Sequence, residues 1–100
     1  MRLVKGAGAG CWLSPFQHDS LALHFSFKHD MAAASAACRG IQQCLEPFGA
    51  TVHWGKYFDV GEMQKQREVN FPALEEFRAL CDLHDPTGKF RNGYLEQLLF

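Results

Sequence analysis

The chain has 100 residues, of which 47% are hydrophobic and 21% charged, a composition typical of a globular domain and not of a disordered segment. Ten basic and eleven acidic residues nearly balance, which excludes the positive field that attracts nucleic acid or anionic lipid. No apolar run approaches the ~20 residues that cross a bilayer, and the first residues lack a signal peptide's apolar stretch. We therefore expect a cytoplasmic protein with no nucleic-acid partner and no sign of membrane association.

The cysteines and histidines do not suggest a metal centre. The four cysteines contain no C-x-x-C pair and lie among apolar residues, so we predict buried, reduced thiols instead of a zinc site or a redox dithiol. They are Cys11, Cys38, Cys44 and Cys81. No two of the five histidines have the i, i+4 spacing of helix-borne metal ligands, and we predict no metal.

The first predicted element is a β-strand over residues 20–28. Apolar residues alternate there with small or polar ones, the period-two pattern of a strand with one buried face. The predicted buried face consists of Leu21, Leu23, Phe25 and Phe27. His24 and Ser26 then share the opposite face.

An alanine-rich amphipathic helix follows the strand. Asp30 is its predicted N-cap, and Pro47 and Gly49 are predicted to end it. Residues 50–54 are partly β-branched and bounded by glycines, which indicates a second strand running into a loop at residues 55–56. Together these elements predict a strand-helix-strand (β-α-β) unit.

The C-terminal part of the sequence predicts further helices. Residues 59–69 are polar and indicate a surface connection with some helix. Asn70 is a predicted N-cap with Pro72 in the first turn of a helix that ends at the turn 85–88, before a short terminal helix. The longer helix is predicted to have a buried stripe formed by Leu74, Phe77, Leu80 and Cys81. The fold class is therefore α+β, and we expect the apolar face of the C-terminal tail to be exposed for docking.

Three stretches of the sequence carry a resemblance to a known family. The first is the motif His-Trp-Gly-Lys at residues 53–56, preceded by Glu-Pro-Phe-Gly-Ala at residues 46–50. The second is residues 83–95, Leu-His-Asp-Pro-Thr-Gly-Lys-Phe-Arg-Asn-Gly-Tyr-Leu, and the third is Trp-Leu-Ser-Pro at residues 12–15 with His-Phe-Ser at residues 24–26. These stretches resemble the closing segment of the sugar-1,4-lactone oxidases and alditol oxidases, flavoproteins of the vanillyl-alcohol-oxidase type.

The resemblance implies that residues 1–100 form the C-terminal, cap-derived segment of a D-arabinono-1,4-lactone oxidase-like, FAD-linked oxidase, as part of its cap or substrate domain. The glycine-rich pyrophosphate loop has no counterpart in this sequence. We therefore expect a missing FAD-binding domain to be the partner and the chain alone to be inactive. The complete enzyme would oxidise a CH–OH group of an alditol or aldono-1,4-lactone and pass the electrons through FAD to oxygen, giving hydrogen peroxide.

The same resemblance implies roles for five residues. Lys56 is the candidate catalytic residue and flavin contact, with an amine that donates a hydrogen bond or accepts a proton. His53 is assigned to substrate and flavin binding, Ser26 and Arg2 to substrate binding, and Asn92 to flavin binding. For His53 and Asn92 a purely structural role stays open, as does simple exposure for Ser26.

A second hypothesis belongs to a different class of protein. A free-standing α+β interaction or regulatory module, monomeric or dimeric through its apolar faces, fits the same composition, and the methionine at residue 1 favours it. A flavin-binding domain encoded in frame or as a partner chain supports the oxidase, and its absence supports the module.

Overall fold

The computed structural model describes residues 1–8 and 10–100 and shows a two-stranded sheet followed by helices. β1 (Arg2–Val4) pairs antiparallel with β2 (Ser20–Ala22), and Leu3 lies opposite Leu21. Four α-helices follow: α1 (Met31–Leu45), α2 (Val60–Asn70), α3 (Leu74–His84) and α4 (Gly93–Leu99). This architecture confirms the α+β class and the C-terminal helices.

Helix α1 begins and ends where the sequence predicts. The Asp30 carboxylate accepts a hydrogen bond from the Ala33 N–H at 3.0 Å, which satisfies one of the free donors of the first turn. A short 3-10 helix, Glu46–Phe48, contains Pro47 and is closed by Gly49 in the left-handed conformation (φ 64°). Proline and a left-handed glycine both prevent the helix from continuing.

The predicted β-α-β order is wrong, because both strands precede α1. Only residues 20–22 of the predicted strand are paired, and their partner is β1. Residues 50–54, all of which the structure describes, form no strand. The Thr51 hydroxyl instead donates to the Pro15 carbonyl at 3.0 Å, so this segment is attached through a side chain and not through a backbone ladder.

The face of the first strand that the alternation predicts to be buried is exposed. Leu21 is 55% exposed, and its cross-strand neighbour Leu3 is 89% exposed. Leu23, Phe25 and Phe27, beyond the paired residues, are exposed as well. A ribbon with three residues in each strand can place only one face against the rest of the chain, and the leucines lie on the other.

Helix α2 extends to residue 70, so α3 begins later than the sequence predicts. Asn70 is the last residue of α2 and not an N-cap, since the Phe71 N–H still donates to the Arg67 carbonyl at 2.9 Å. Pro72 then interrupts the chain before α3, whose N-cap position is occupied by Ala73. The Asn70 amide donates to the Ala50 carbonyl at 3.4 Å.

The hydrophobic core lies among the C-terminal helices. Leu74 of α3 and Leu98 of α4 are each 1% exposed, and Phe71 and Leu99 are also buried. The expectation of an exposed apolar face on the C-terminal tail is therefore wrong: α4 turns that face inward. Within the residues that the structure describes, no helix is long and apolar enough to cross a membrane.

The four cysteines are free thiols. Cys38 is buried as predicted. Cys81, in the predicted buried stripe of α3, is half-buried, and Leu80 of the same stripe is 43% exposed, so the stripe is only partly buried. Cys11 and Cys44 are exposed, so the prediction of burial is wrong for these two. Cys44 lies on α1 beside the exposed segment that follows β2, where an apolar groove stays open to solvent.

Candidate functional site

The motif at residues 53–56 forms a tight turn between α1 and α2. The Lys56 N–H donates to the His53 carbonyl at 2.9 Å, and the Gly55 N–H donates to His53 Nδ1 at 3.0 Å. Because Nδ1 accepts this bond, a neutral His53 ring carries its hydrogen on Nε2. A Cβ at Gly55 would lie 3.1 Å from His53 Cε1, so glycine keeps the ring close to the backbone. The turn thus presents an imidazole N–H and an ammonium group on exposed side chains.

Trp54 anchors the turn to the core. Its ring meets Phe71 edge-on, with centroids 5.2 Å apart and an interplanar angle of 65°. Phe71 is buried in the core, so the contact links the turn to the hydrophobic core. The Trp54 indole Nε1 is buried and has no hydrogen-bond partner in the part of the chain that the structure describes.

Helix α4, which follows later in the sequence, is hydrogen-bonded to the turn. The Tyr94 hydroxyl donates to the Trp54 carbonyl across 40 residues of sequence. Asn92 is the N-cap of the same helix, and its side-chain oxygen accepts the Leu95 N–H at 2.9 Å. The bond from Tyr94 to Trp54 joins two of the motif stretches, residues 53–56 and 83–95.

The Tyr94 hydrogen bond is one clamp on the turn, and a second clamp holds the chain just beyond the turn, at Asp59. The Gln42 side chain pairs with both backbone polar groups of Asp59: the Asp59 N–H donates to Oε1 at 2.6 Å, and Nε2 donates to the Asp59 carbonyl at 3.0 Å. The Asp59 carboxylate caps α2 through the Glu62 N–H at 3.0 Å and pairs with Arg39 at 2.8 Å. The capping N–H and the Arg39 guanidinium lower the pKa of Asp59 below its ordinary value. The turn is therefore held at its central peptide and again just beyond its last residue.

The structure brings only part of the predicted site together. His53 and Lys56 lie on one turn, and Asn92 begins the helix whose Tyr94 contacts that turn. Arg2 lies in β1, and Ser26 lies in the exposed segment after β2. Both belong to the N-terminal region, which meets residues 50–54 through the Thr51 hydrogen bond.

Sequence reasoning assigned no role to Tyr94, Gln42 or Asp59. A signal for Asp59 exists: Asp-x-x-Glu at residues 59–62 is the pattern of a helix N-cap and predicts the start of α2. No local pattern predicts the contacts of Gln42 and Tyr94, because their partners are distant in sequence. Among the described residues, no group of three or more His, Cys, Asp or Glu side chains is placed to hold a metal ion.

Comparison with known proteins places the chain in a family. The family profile described as D-arabinono-1,4-lactone oxidase matches residues 7–98. An alditol oxidase from Streptomyces sp. (strain IKD472 / FERM P-14339) is 37% identical over 89 residues, which cover 88% of this chain and 21% of that protein. The L-gulonolactone oxidases of Mus musculus and Bos taurus are each 34% identical over 56 residues, which cover 56% of this chain and 12% of theirs.

The chain spans about a fifth of the length of the alditol oxidase and about an eighth of the gulonolactone oxidases. No solved structure matches the chain significantly. The family match runs through both motif stretches that the Tyr94 contact brings together. The chain belongs to the D-arabinono-1,4-lactone oxidase family, and the three relatives above are by name an alditol oxidase and two L-gulonolactone oxidases.

Proposed function

We propose that these residues form the C-terminal part of a FAD-dependent oxidase that oxidises a CH–OH group of an alditol or an aldono-1,4-lactone, with oxygen as acceptor and hydrogen peroxide as product. Family membership and the names of the relatives support the substrate classes. The observation that carries the proposal is the turn at residues 53–56, which displays Lys56 and His53 while the core and two clamps hold its backbone. The FAD-binding domain is supplied by polypeptide outside these 100 residues.

The donor set of the turn suits a flavin. Lys56 and the His53 ring offer exposed N–H donors, and the buried indole N–H of Trp54 has no partner among the described residues. A flavin ring edge carries carbonyl oxygens and ring nitrogens, which accept such hydrogen bonds. When bound, FAD supplies the acceptor for the hydride that leaves the substrate carbon.

The residues of this chain bind and orient the substrate hydroxyl. In the proposal, Lys56 Nζ contacts the substrate oxygen: as an ammonium it donates a hydrogen bond to that oxygen, and as a neutral amine it accepts the hydroxyl proton. His53 Nε2–H donates to substrate or flavin oxygen. Arg2 and Ser26 bind substrate hydroxyls, with the N-terminal region acting as one wall of the pocket.

The side chain of Asn92 offers its amide N–H₂ to the flavin. Its side-chain oxygen accepts the Leu95 N–H and thereby caps α4. The amide N–H₂ makes no hydrogen bond among the described residues, so in the proposal Asn92 donates to an acceptor atom of the flavin. The cap fixes the direction of that donor.

A chimera tests the proposal directly. Residues 7–98 of this chain replace the matching segment of the Streptomyces alditol oxidase. We expect the chimera to bind FAD, and its flavin to be reduced anaerobically by an alditol or by an aldono-1,4-lactone of the same carbon number, with hydrogen peroxide formed on readmission of air. A chimera that binds FAD without reduction by either substrate, or that folds without binding FAD, contradicts the proposal and supports a non-catalytic interaction module.

In this chimera, Lys56→Met should slow flavin reduction by about 10²- to 10⁴-fold, since a general acid or base contributes about this factor. The unfolding temperature should change little, because the Lys56 side chain is exposed in this chain. Lys65→Met is the matched control: Lys65 pairs only with Glu62 on the surface of α2, at 2.9 Å. Equal rates for the two variants would remove Lys56 from the mechanism.

A further inference from the structure

The peptide group between Trp54 and Gly55 is hydrogen-bonded at both of its ends. Its carbonyl accepts the Tyr94 hydroxyl, and its N–H donates to His53 Nδ1 at 3.0 Å. A peptide group is planar, so fixing the carbonyl direction also fixes the N–H direction. The Tyr94 contact and the orientation of the His53 ring are therefore mechanically linked.

This peptide is the one that can flip in a four-residue turn. The turn is closed by the Lys56 N–H and the His53 carbonyl, so Trp54 and Gly55 occupy its two central positions. Rotation of their shared peptide converts a type I into a type II turn, which requires positive φ at the second central residue. Glycine allows both states. Gly55 is not among the described glycines with positive φ, which are Gly8, Gly49 and Gly88, so the turn is in the unflipped state.

We infer that Tyr94 is a positioning residue: its hydroxyl holds the Trp54–Gly55 peptide in the orientation that presents His53 and Lys56 to the reaction. A flip would turn the Gly55 N–H away from His53 Nδ1, and the ring would lose the bond that sets its direction. Tyr94 lies on α4 and acts through the turn without itself contacting the substrate. This inference rests on the proposed function for its consequence in catalysis, but its structural part stands independently.

The structural part is tested by hydrogen exchange in the FAD-loaded chimera. Tyr94→Phe removes only the hydroxyl and should speed exchange of the amides at residues 55–56 by about five- to tenfold, the effect of losing one net hydrogen bond. Gln64→Met is the matched control, because it also removes a side-chain hydrogen bond to a backbone carbonyl, here from Gln64 Nε2 on α2 to the Gln97 carbonyl of α4 at 2.7 Å, away from the turn. It should leave exchange at residues 55–56 unchanged.

The catalytic part is tested by a double-mutant cycle on flavin reduction. Tyr94→Phe alone should slow reduction about tenfold, since small misplacements of reacting groups have large rate effects. In the Lys56→Met background the same change should slow reduction by a clearly smaller factor, because only its effect through His53 then remains. A merely structural role would instead reduce both backgrounds by the same factor.

Each outcome decides a separate point. Unchanged exchange at residues 55–56, or faster exchange spread equally over α2 and the turn, overturns the positioning role. Independent factors in the double-mutant cycle overturn its link to Lys56. Failure of substrate to reduce the unmodified chimera overturns the proposed function, while the exchange measurement still tests the link between Tyr94 and the turn.

Discussion

The N-terminal region, residues 1–30, and the helical region from residue 58 onward contain similar kinds of apolar residues but bury them very differently. Leu3 and Leu21, opposite each other in the sheet, are 89% and 55% exposed, whereas Leu74 and Leu98 are each 1% exposed. Leu74 and Leu98 belong to a core formed mainly by the C-terminal helices, whereas the two-stranded ribbon can pack only one of its faces against the rest of the chain. Burial here follows the number of neighbouring elements more than the apolar pattern.

The largest effect should come from the helical core. Leu74→Ala should lower the free energy of unfolding by about 2–5 kcal/mol, because a fully buried leucine leaves a cavity that the helices cannot fill. Leu83→Ala on the same helix is the control. Leu83 is 74% exposed, and the expected loss is below about 0.5 kcal/mol. Equal shifts in the urea midpoints of the two variants would contradict the division between the regions.

Substitution of Asp59 should lower the free energy of unfolding by an intermediate amount. Asp59→Ala removes the N-cap of α2 and should cost about 1 kcal/mol at neutral pH. Asp59→Asn keeps a capping oxygen but removes the charge that pairs with the exposed Arg39, so its cost should be smaller.

The stabilisation by the Asp59 carboxylate should decrease as the pH falls. The folded pKa of Asp59 is lowered, so its carboxylate stabilises the fold above the ordinary Asp pKa of about 4, and the stabilisation is lost as the pH falls through the folded value. The difference in unfolding free energy between the unmodified chain and Asp59→Asn should be constant near neutral pH and shrink below about pH 4. A difference that persists unchanged in acid would show that the charge is not its source.

The sequence predicted best those elements that local residues determine. Helix α1 has a capping aspartate, a long apolar stripe and a proline-glycine end, all within one stretch of chain. Helix α2 has one buried residue, Met63, and no apolar stripe, so it was only partly predicted. The strands depend on partners elsewhere in the chain, and the alternation at residues 20–28 identified neither the partner nor the face that would be covered.

The candidate site divides in the same way. Residues 53–56 were singled out as a motif, and the loop predicted at residues 55–56 is confirmed as part of a turn. The hydrogen bond from Tyr94 to the Trp54 carbonyl spans 40 residues, and the pairing of Gln42 with Asp59 spans 17. Such contacts depend on how helices pack, which no local pattern encodes. The motifs thus name the residues of the turn, and the tertiary contacts determine how they are held.

The smallest effect should come from the exposed leucine of the sheet. Leu21→Ala should change the free energy of unfolding of this chain by at most about 0.5 kcal/mol, because Leu21 and its cross-strand neighbour Leu3 are both exposed. Urea unfolding of this variant beside Leu74→Ala compares the same truncation in both regions. A loss near that of Leu74→Ala would mean that a further surface covers the sheet in solution. The contrast between an exposed ribbon and a closed helical core would then fail, since burial would no longer differ between the two regions.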